Sequence, residues 1–105
     1  MNITEYQENI SQFIDYHKEL GPFQVILRLS NNVGILSNKL YHILNSKNGE
    51  FTDEEKVKIA ISLGDIIRDV SNMASDLNIT MDEVLALNIK KIELEQKNKV
   101  SNSQK

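Results

Sequence analysis

The sequence predicts an all-α fold, four helices in a single domain. Three observations carry this. Apolar residues recur at three- and four-residue steps along almost the whole chain, the spacing of one helical face. No segment sustains the period-two alternation of a half-buried strand. Proline occurs once and glycine four times in 105 residues, so little interrupts long elements.

The first helix is expected to open at Thr4. Thr4 and Gln7 have capping-box spacing, and Tyr6, Ile10, Phe13, Ile14 and His17 then mark one face. Gly21-Pro22 is expected to end it, because proline cannot continue the hydrogen-bond ladder. A second helix is expected over 23–46, with apolar positions from Phe23 to Leu44, followed by a polar turn at 47–50. Thr52 and Glu55 form a second capping box, with Asp53 and Glu54 suited to the positive end of the helix dipole. The third helix carries Val57 to Leu77, and Asn78 is a natural stop. Thr80 and Glu83 repeat the capping box and open a fourth helix reaching Leu94. The domain therefore spans 1–95, and the polar segment 96–105 is expected to fray into solvent as a disordered tail.

Apolar residues at 40% and charged residues at 26% are ordinary for a globular chain. The net charge of -3 argues against a nucleic-acid partner, which needs a basic face. Cysteine is absent, which excludes disulfides, thiolate-held zinc and thiol catalysis. The N-terminus lacks the basic and apolar regions of a signal peptide, and no run approaches the roughly 20 apolar residues of a membrane span. A cytoplasmic protein without a membrane partner is the expectation. The second and third helices are apolar around more than half their circumference, whereas a helix facing one neighbour needs a stripe of about 100°. The excess predicts a homo-oligomer, most simply a two-fold dimer.

Common chemistries find little support. His17 and His42 stand alone, without metal-ligand spacing, and read as packing residues. No serine sits in a nucleophile elbow, and no phosphate-binding P-loop is present. Tyr6, Tyr16, Tyr41, Phe13 and Phe23 fall at helical spacing and read as core. Gly34 and Gly64 lie inside helices and read as points of close helix packing.

Several segments in order resemble the MazG-like all-α nucleoside triphosphate pyrophosphohydrolases. Thr4-Glu5-Tyr6-Gln7 resembles the Glu-Tyr-Gln opening of small members. The run from Leu29 to Leu36 occupies the place of their Glu-x-Gly-Glu segment, and Ile61 to Ile67 is similar to their Glu-Glu-Leu-Gly-Asp. Ala74 to Val84 and Leu87-Asn88-Ile89-Lys90-Lys91 are similar to their Leu-Gly-Ile turn and Asn-Ile-x-Lys ending. The resemblance covers about residues 4 to 95 and implies a four-helix MazG-like bundle, assembled as a homodimer or higher oligomer.

It also implies a site. In the family, paired carboxylates on the second and third helices hold magnesium, which neutralises the triphosphate. Carried over, the second-helix pair falls on Asn32 and Ile35 and the third-helix pair on Ser62 and Asp65. Asp65 alone keeps a carboxylate and is the one candidate metal ligand. Losing one electrostatic stabiliser typically costs about 100- to 1,000-fold in rate, so losing three should leave little activity. Asp69, Asn88 and Lys91 complete the candidate cleft, the last two at the family's ligand-contacting end of the fourth helix. The expected function is binding of a nucleotide-like ligand or a protein partner by a catalytically inactive MazG-like protein, with a phage or mobile element as the expected source. The alternatives are an active pyrophosphohydrolase, with Mg2+ held by a rebuilt set of Asp65, Asp69 and Asn32, and a plain helical interaction module.

Overall fold

The computed structural model describes residues 1–14, 19–47 and 49–103. The chain forms α1 (Ile3–Ile10) with a 3-10 turn (Ser11–Phe13), α2 (Gly21–Lys47), α3 (Asp53–Asp76) and α4 (Met81–Ser103). Among the described residues there is no strand. The all-α expectation and the count of four principal helices hold.

Two boundaries in the N-terminal half differ from the sequence reading, each for a physical reason. Asn2, rather than Thr4, caps α1: its Oδ1 accepts the Glu5 N–H at 2.8 Å. Asparagine is a stronger cap than threonine, and Thr4 and Gln7 are engaged elsewhere. Thr4 donates its hydroxyl to Asp82, and Gln7 reaches the turn between α3 and α4. The second difference is at Gly21-Pro22, which opens α2 instead of closing the preceding helix. Proline in a first turn has no N–H to leave unsatisfied. The Leu20 carbonyl accepts from Phe23 and Gln24 to start the ladder. A β-carbon at Gly21 would lie 3.2 Å from Oδ2 of Asp76, a tight contact that the carboxylate would have to give way to. That carboxylate, from the end of α3, stands beside the positive start of α2. Tyr16, His17 and Asn48 lie outside the described residues.

The capping signals at Thr52 and Asn78 act as read, and Thr80 caps through its hydroxyl. Thr52 Oγ1 accepts the Glu55 N–H at 3.1 Å, and Glu55 returns to the Thr52 N–H at 2.9 Å. At the far end of α3, Asn78 takes φ 58°, a left-handed conformation that asparagine tolerates. Ile79 N–H then bonds Ala74 O at 2.8 Å and Asn78 N–H bonds Ser75 O at 3.0 Å, the two closures of a Schellman motif. Thr80 accepts the Glu83 N–H at 3.1 Å and starts α4. That helix runs on to Ser103, past Gln96, where the sequence reading begins a frayed tail. Leu, Glu, Gln and Lys favour helix here, no glycine or proline interrupts it, and Lys91 pairs with Glu95 at 3.7 Å.

α2 and α3 form an antiparallel hairpin. Gly21 meets Asp76, Asn32 meets Asp69 and Lys39 meets Ser62, a steady counter-running register. α1 lies against α3 and the start of α4. Gln7 holds this junction: Nε2 donates to Ser75 Oγ and Ile79 O, both at 3.0 Å, and Oε1 accepts the Met81 N–H at 2.9 Å. α4 packs through its first turns, where Met81 is buried and Val84 half-buried, while residues 85–100 are exposed. Among the described residues the buried apolar set is small, consisting of Val25, Ile43, Ala74 and Met81. Gly34 and Gly64 do not pack closely within the chain: a β-carbon at either would meet nothing within 4 Å. Both therefore depart from the close-packing expectation.

Because Gln7 satisfies three groups of one turn, Gln7→Ala should destabilise the fold by about 1–3 kcal/mol, the cost of leaving part-buried donors and acceptors unpaired. Urea denaturation measures the loss, and hydrogen exchange should show faster exchange at the Met81 amide. Gln7→Glu keeps an acceptor for Met81 and for the Ser75 hydroxyl, so it should retain the Met81 amide's protection while losing the bond to the Ile79 carbonyl.

Candidate functional site

The α2–α3 hairpin is closed by polar side chains where a stabilising core would be apolar. On α2, Asn32 and Lys39 are seven residues apart; on α3, so are Ser62 and Asp69. Two helical turns separate each pair, so each lies on one face. The antiparallel register then matches Asn32 with Asp69 and Lys39 with Ser62. Asn32 Nδ2 donates to Asp69 Oδ2 at 2.6 Å, and Lys39 Nζ donates to Ser62 Oγ at 2.8 Å.

Burial makes this seam costly. Asp69 is only 1% exposed, and a buried charge is destabilising unless paired and hydrogen-bonded. Ser62, Ser71 and Asn72 are also buried. Ser71 Oγ, Asn72 Oδ1 and Arg68 Nε are buried without a hydrogen-bond partner, and each such group typically costs about 1–3 kcal/mol. Violations of this kind concentrate at functional sites.

α1 covers one side of the seam with Tyr6. Burial pushes the Tyr6 phenol above its usual value; the Arg68 cation opposes the shift, and the Asp65 and Asp69 carboxylates add to it. Tyr6, Asp65, Arg68 and Asp69 therefore share one electrostatic neighbourhood. Near the hairpin turn a cleft of about 320 Å³ opens beside Lys39, lined also by His42, Ile43, Glu55, Lys58 and Ile59. His42 is exposed and meets the edge of Tyr41, ring centroids 5.9 Å apart. Lys58 pairs with Glu54 at 3.6 Å.

The sequence-derived candidates divide into two groups. Asn32, Ser62 and Asp69 enter the seam, and the half-buried Asp65 flanks it at Tyr6. Ile35 is 45% exposed and offers no polar atom. Asn88 and Lys91 stand exposed on α4, where Lys91 pairs with Glu95. Among the described residues, no group of three or more histidine, aspartate or glutamate side chains gathers as a metal ion would require. Lys39, Arg68, Ser71 and Asn72 were not singled out by the sequence reading. The seven-residue spacing of Asn32 with Lys39, set against that of Ser62 with Asp69, was the available signal.

Asn32→Leu strands the Asp69 carboxylate and should destabilise the chain by about 2–3 kcal/mol, the range for a lost bond to a charged group. The double variant Asn32→Leu/Asp69→Leu should recover much of that loss, since an apolar pair can replace a buried polar one. A denaturant double-mutant cycle measures both. For Tyr6, the folded state favours the protonated phenol. Stability from this group is full below the unfolded value near 10 and is lost as pH rises through the higher folded value. Tyr6→Phe should therefore flatten the fall in melting temperature above about pH 10 relative to the unaltered chain.

No family model matches the chain, and no solved structure matches it. Among the described residues, no helix is long and apolar enough to cross a membrane. The chain is similar to the Gene 37 protein of Mycobacterium phage L5, 29% identical over 73 residues. That match takes in 70% of this chain and 64% of the phage protein, so the chain spans less than two thirds of the relative's length.

Proposed function

We propose that this chain is a MazG-like protein that binds a nucleotide-like ligand beside the α2–α3 seam without hydrolysing it. The observation that carries the reading is the Lys39 ammonium, 2.8 Å from Ser62 Oγ. The family resemblance puts a magnesium-binding carboxylate at the Ser62 position. Here the α2 helix delivers a fixed positive charge to that place. A lysine serves phosphate as a point charge, and it repels the metal ion that carboxylates would attract. Asn32 adds to the case, because its amide is engaged by Asp69 and the pair needs no cation. Rebuilt metal ligation through Asp65, Asp69 and Asn32 is disfavoured by the same bond.

The similarity to a phage protein fits a role carried by a phage or mobile element. Sequestering a nucleotide-like ligand, or modulating a host protein, is a task that such a disarmed scaffold can perform. A protein partner is the second reading. Exposed apolar side chains on α2 and α4, among them Phe23, Leu27, Leu87 and Ile92, favour it. In either reading the chain acts as a homo-oligomer.

Thermal melting with nucleoside triphosphates, in EDTA and in magnesium, tests the ligand. A ligand at about 100 times its dissociation constant stabilises by about 2.7 kcal/mol through mass action. The expected result is a rise in melting temperature that persists in EDTA, is largely lost in Lys39→Ala, and comes with no release of pyrophosphate. Magnesium-dependent pyrophosphate release at ordinary enzyme rates, or no shift with any nucleotide, overturns the nucleotide reading.

A further inference from the structure

The α1 helix is fastened to the chain mainly by polar contacts. None of its eight residues is buried, and its apolar side chains Ile3, Tyr6 and Ile10 are half-buried. Its fastenings are hydrogen bonds, from Thr4 to Asp82 and from Gln7 to Ser75, Ile79 and Met81. When two surfaces part, such bonds are exchanged for bonds to water at small net cost. Full apolar burial, which water cannot replace, is what α1 lacks.

What α1 covers is also polar. Gly64, Ile67, Ser71 and Ser75 follow the three- and four-residue steps of one face of α3. α1 meets this face at both ends: Ile3 and Tyr6 share a groove with Gly64 and Ile67, and Gln7 bonds Ser75. Ser71 lies between them, 0% exposed, its hydroxyl buried without a hydrogen-bond partner. Arg68 Nε, one turn earlier, is in the same condition. Lifting α1 brings water to both groups, and their hydration offsets part of the cost of opening.

The hairpin beneath is fastened separately. The bonds that set its register, Asn32 to Asp69 and Lys39 to Ser62, join α2 to α3 and involve no residue of α1. Loss of the α1 contacts leaves both in place.

We infer that α1 is a detachable strap: it opens as a unit while the α2–α3 hairpin stays folded, and its opening uncovers the Arg68 and Ser71 side of α3 next to the polar seam. The strap governs access to that side whatever ligand the seam takes, so the inference stands or falls apart from the nucleotide reading.

Thiol labelling of the full chain tests it, because the sequence has no cysteine of its own. Ser71→Cys places one thiol beneath α1, and Ser62→Cys places one inside the hairpin seam. The labelling rate tracks the population of the open form when closing outpaces reaction. The thiol at position 71 should react at least about tenfold faster than that at 62, through a sub-global opening. Its rate should change little in low urea, since a local opening exposes little surface, whereas the rate at 62 should climb steeply. Adding Asn32→Leu should speed labelling at 62 at least about tenfold and leave labelling at 71 within about twofold, because the strap opens with the Asn32–Asp69 bond intact. Equal rates at the two positions, a rate at 71 as steep in urea as that at 62, or equal acceleration by Asn32→Leu overturns the inference. Native-state hydrogen exchange of the unaltered chain answers the same question if a thiol variant fails to fold. The Met81 amide, bonded to Gln7, should then exchange with weak urea dependence while the α3 amides exchange with steep dependence, and a single steep dependence for all of them overturns the strap.

Discussion

The hydrogen bond between the Asn32 amide and the Asp69 carboxylate sets the character of the hairpin. A fully buried aspartate has few acceptable arrangements, and each demands a donor held in place. Once α2 supplies that donor, the helix register is fixed, and the same register brings Lys39 to Ser62 two turns away. A slip by one residue would remove both bonds and leave a buried carboxylate and a half-buried ammonium without these partners. Apolar side chains tolerate such slips more readily, because a methyl group is satisfied by almost any neighbour. The polar seam thus gives the hairpin one alignment, at a cost in stability that the apolar contacts around it must offset. Ser71, Asn72 and Arg68 add to that cost through atoms that no neighbouring group answers.

Charge at the seam differs in kind from that of the carboxylate-lined site implied by the family resemblance. There, like charges are brought together and a divalent cation makes the arrangement tolerable. Here the positive charge belongs to a side chain of the seam itself. Neighbouring acids and bases also act on Tyr6 from α1. The seam is therefore electrostatically self-contained. Any phosphate approaching it meets a lysine already directed by a serine hydroxyl, rather than a metal that must first be captured.

Much of the helical layout was legible in the sequence because capping is local chemistry. Thr52 with Glu55, Asn78, and Thr80 ahead of Glu83 act within one helical turn, and each behaves as its spacing says. Where the sequence misled, the residue was engaged at long range. Thr4 and Gln7 have the right spacing for a cap, but their partners lie in the first turn of α4 and in the α3–α4 turn, which no local rule reveals. Gly21-Pro22 is ambiguous by nature, since the pair suits either the end of one helix or the start of the next. Of the site, Asn32, Ser62 and Asp65 could be named from motif positions, and Asp69 from standing one helical turn after Asp65. Lys39 could not, because its importance comes from α3 lying opposite it. Asn88 and Lys91 matched a pattern but stand on the exposed stretch of α4.

The Gln7 junction also bears on the order in which the chain acquires its structure. Its three bonds join residues 68, 72 and 74 positions apart. During synthesis, α1 emerges ahead of α3 and α4 and cannot make these bonds until the Schellman turn and Met81 have followed. Eight residues are too few to hold a helix unaided in water. The α2–α3 hairpin, whose contacts are nearer in sequence, can zip together earlier. α1 is thus made before its partners and settles after them, and it closes a fold that its own length could not begin.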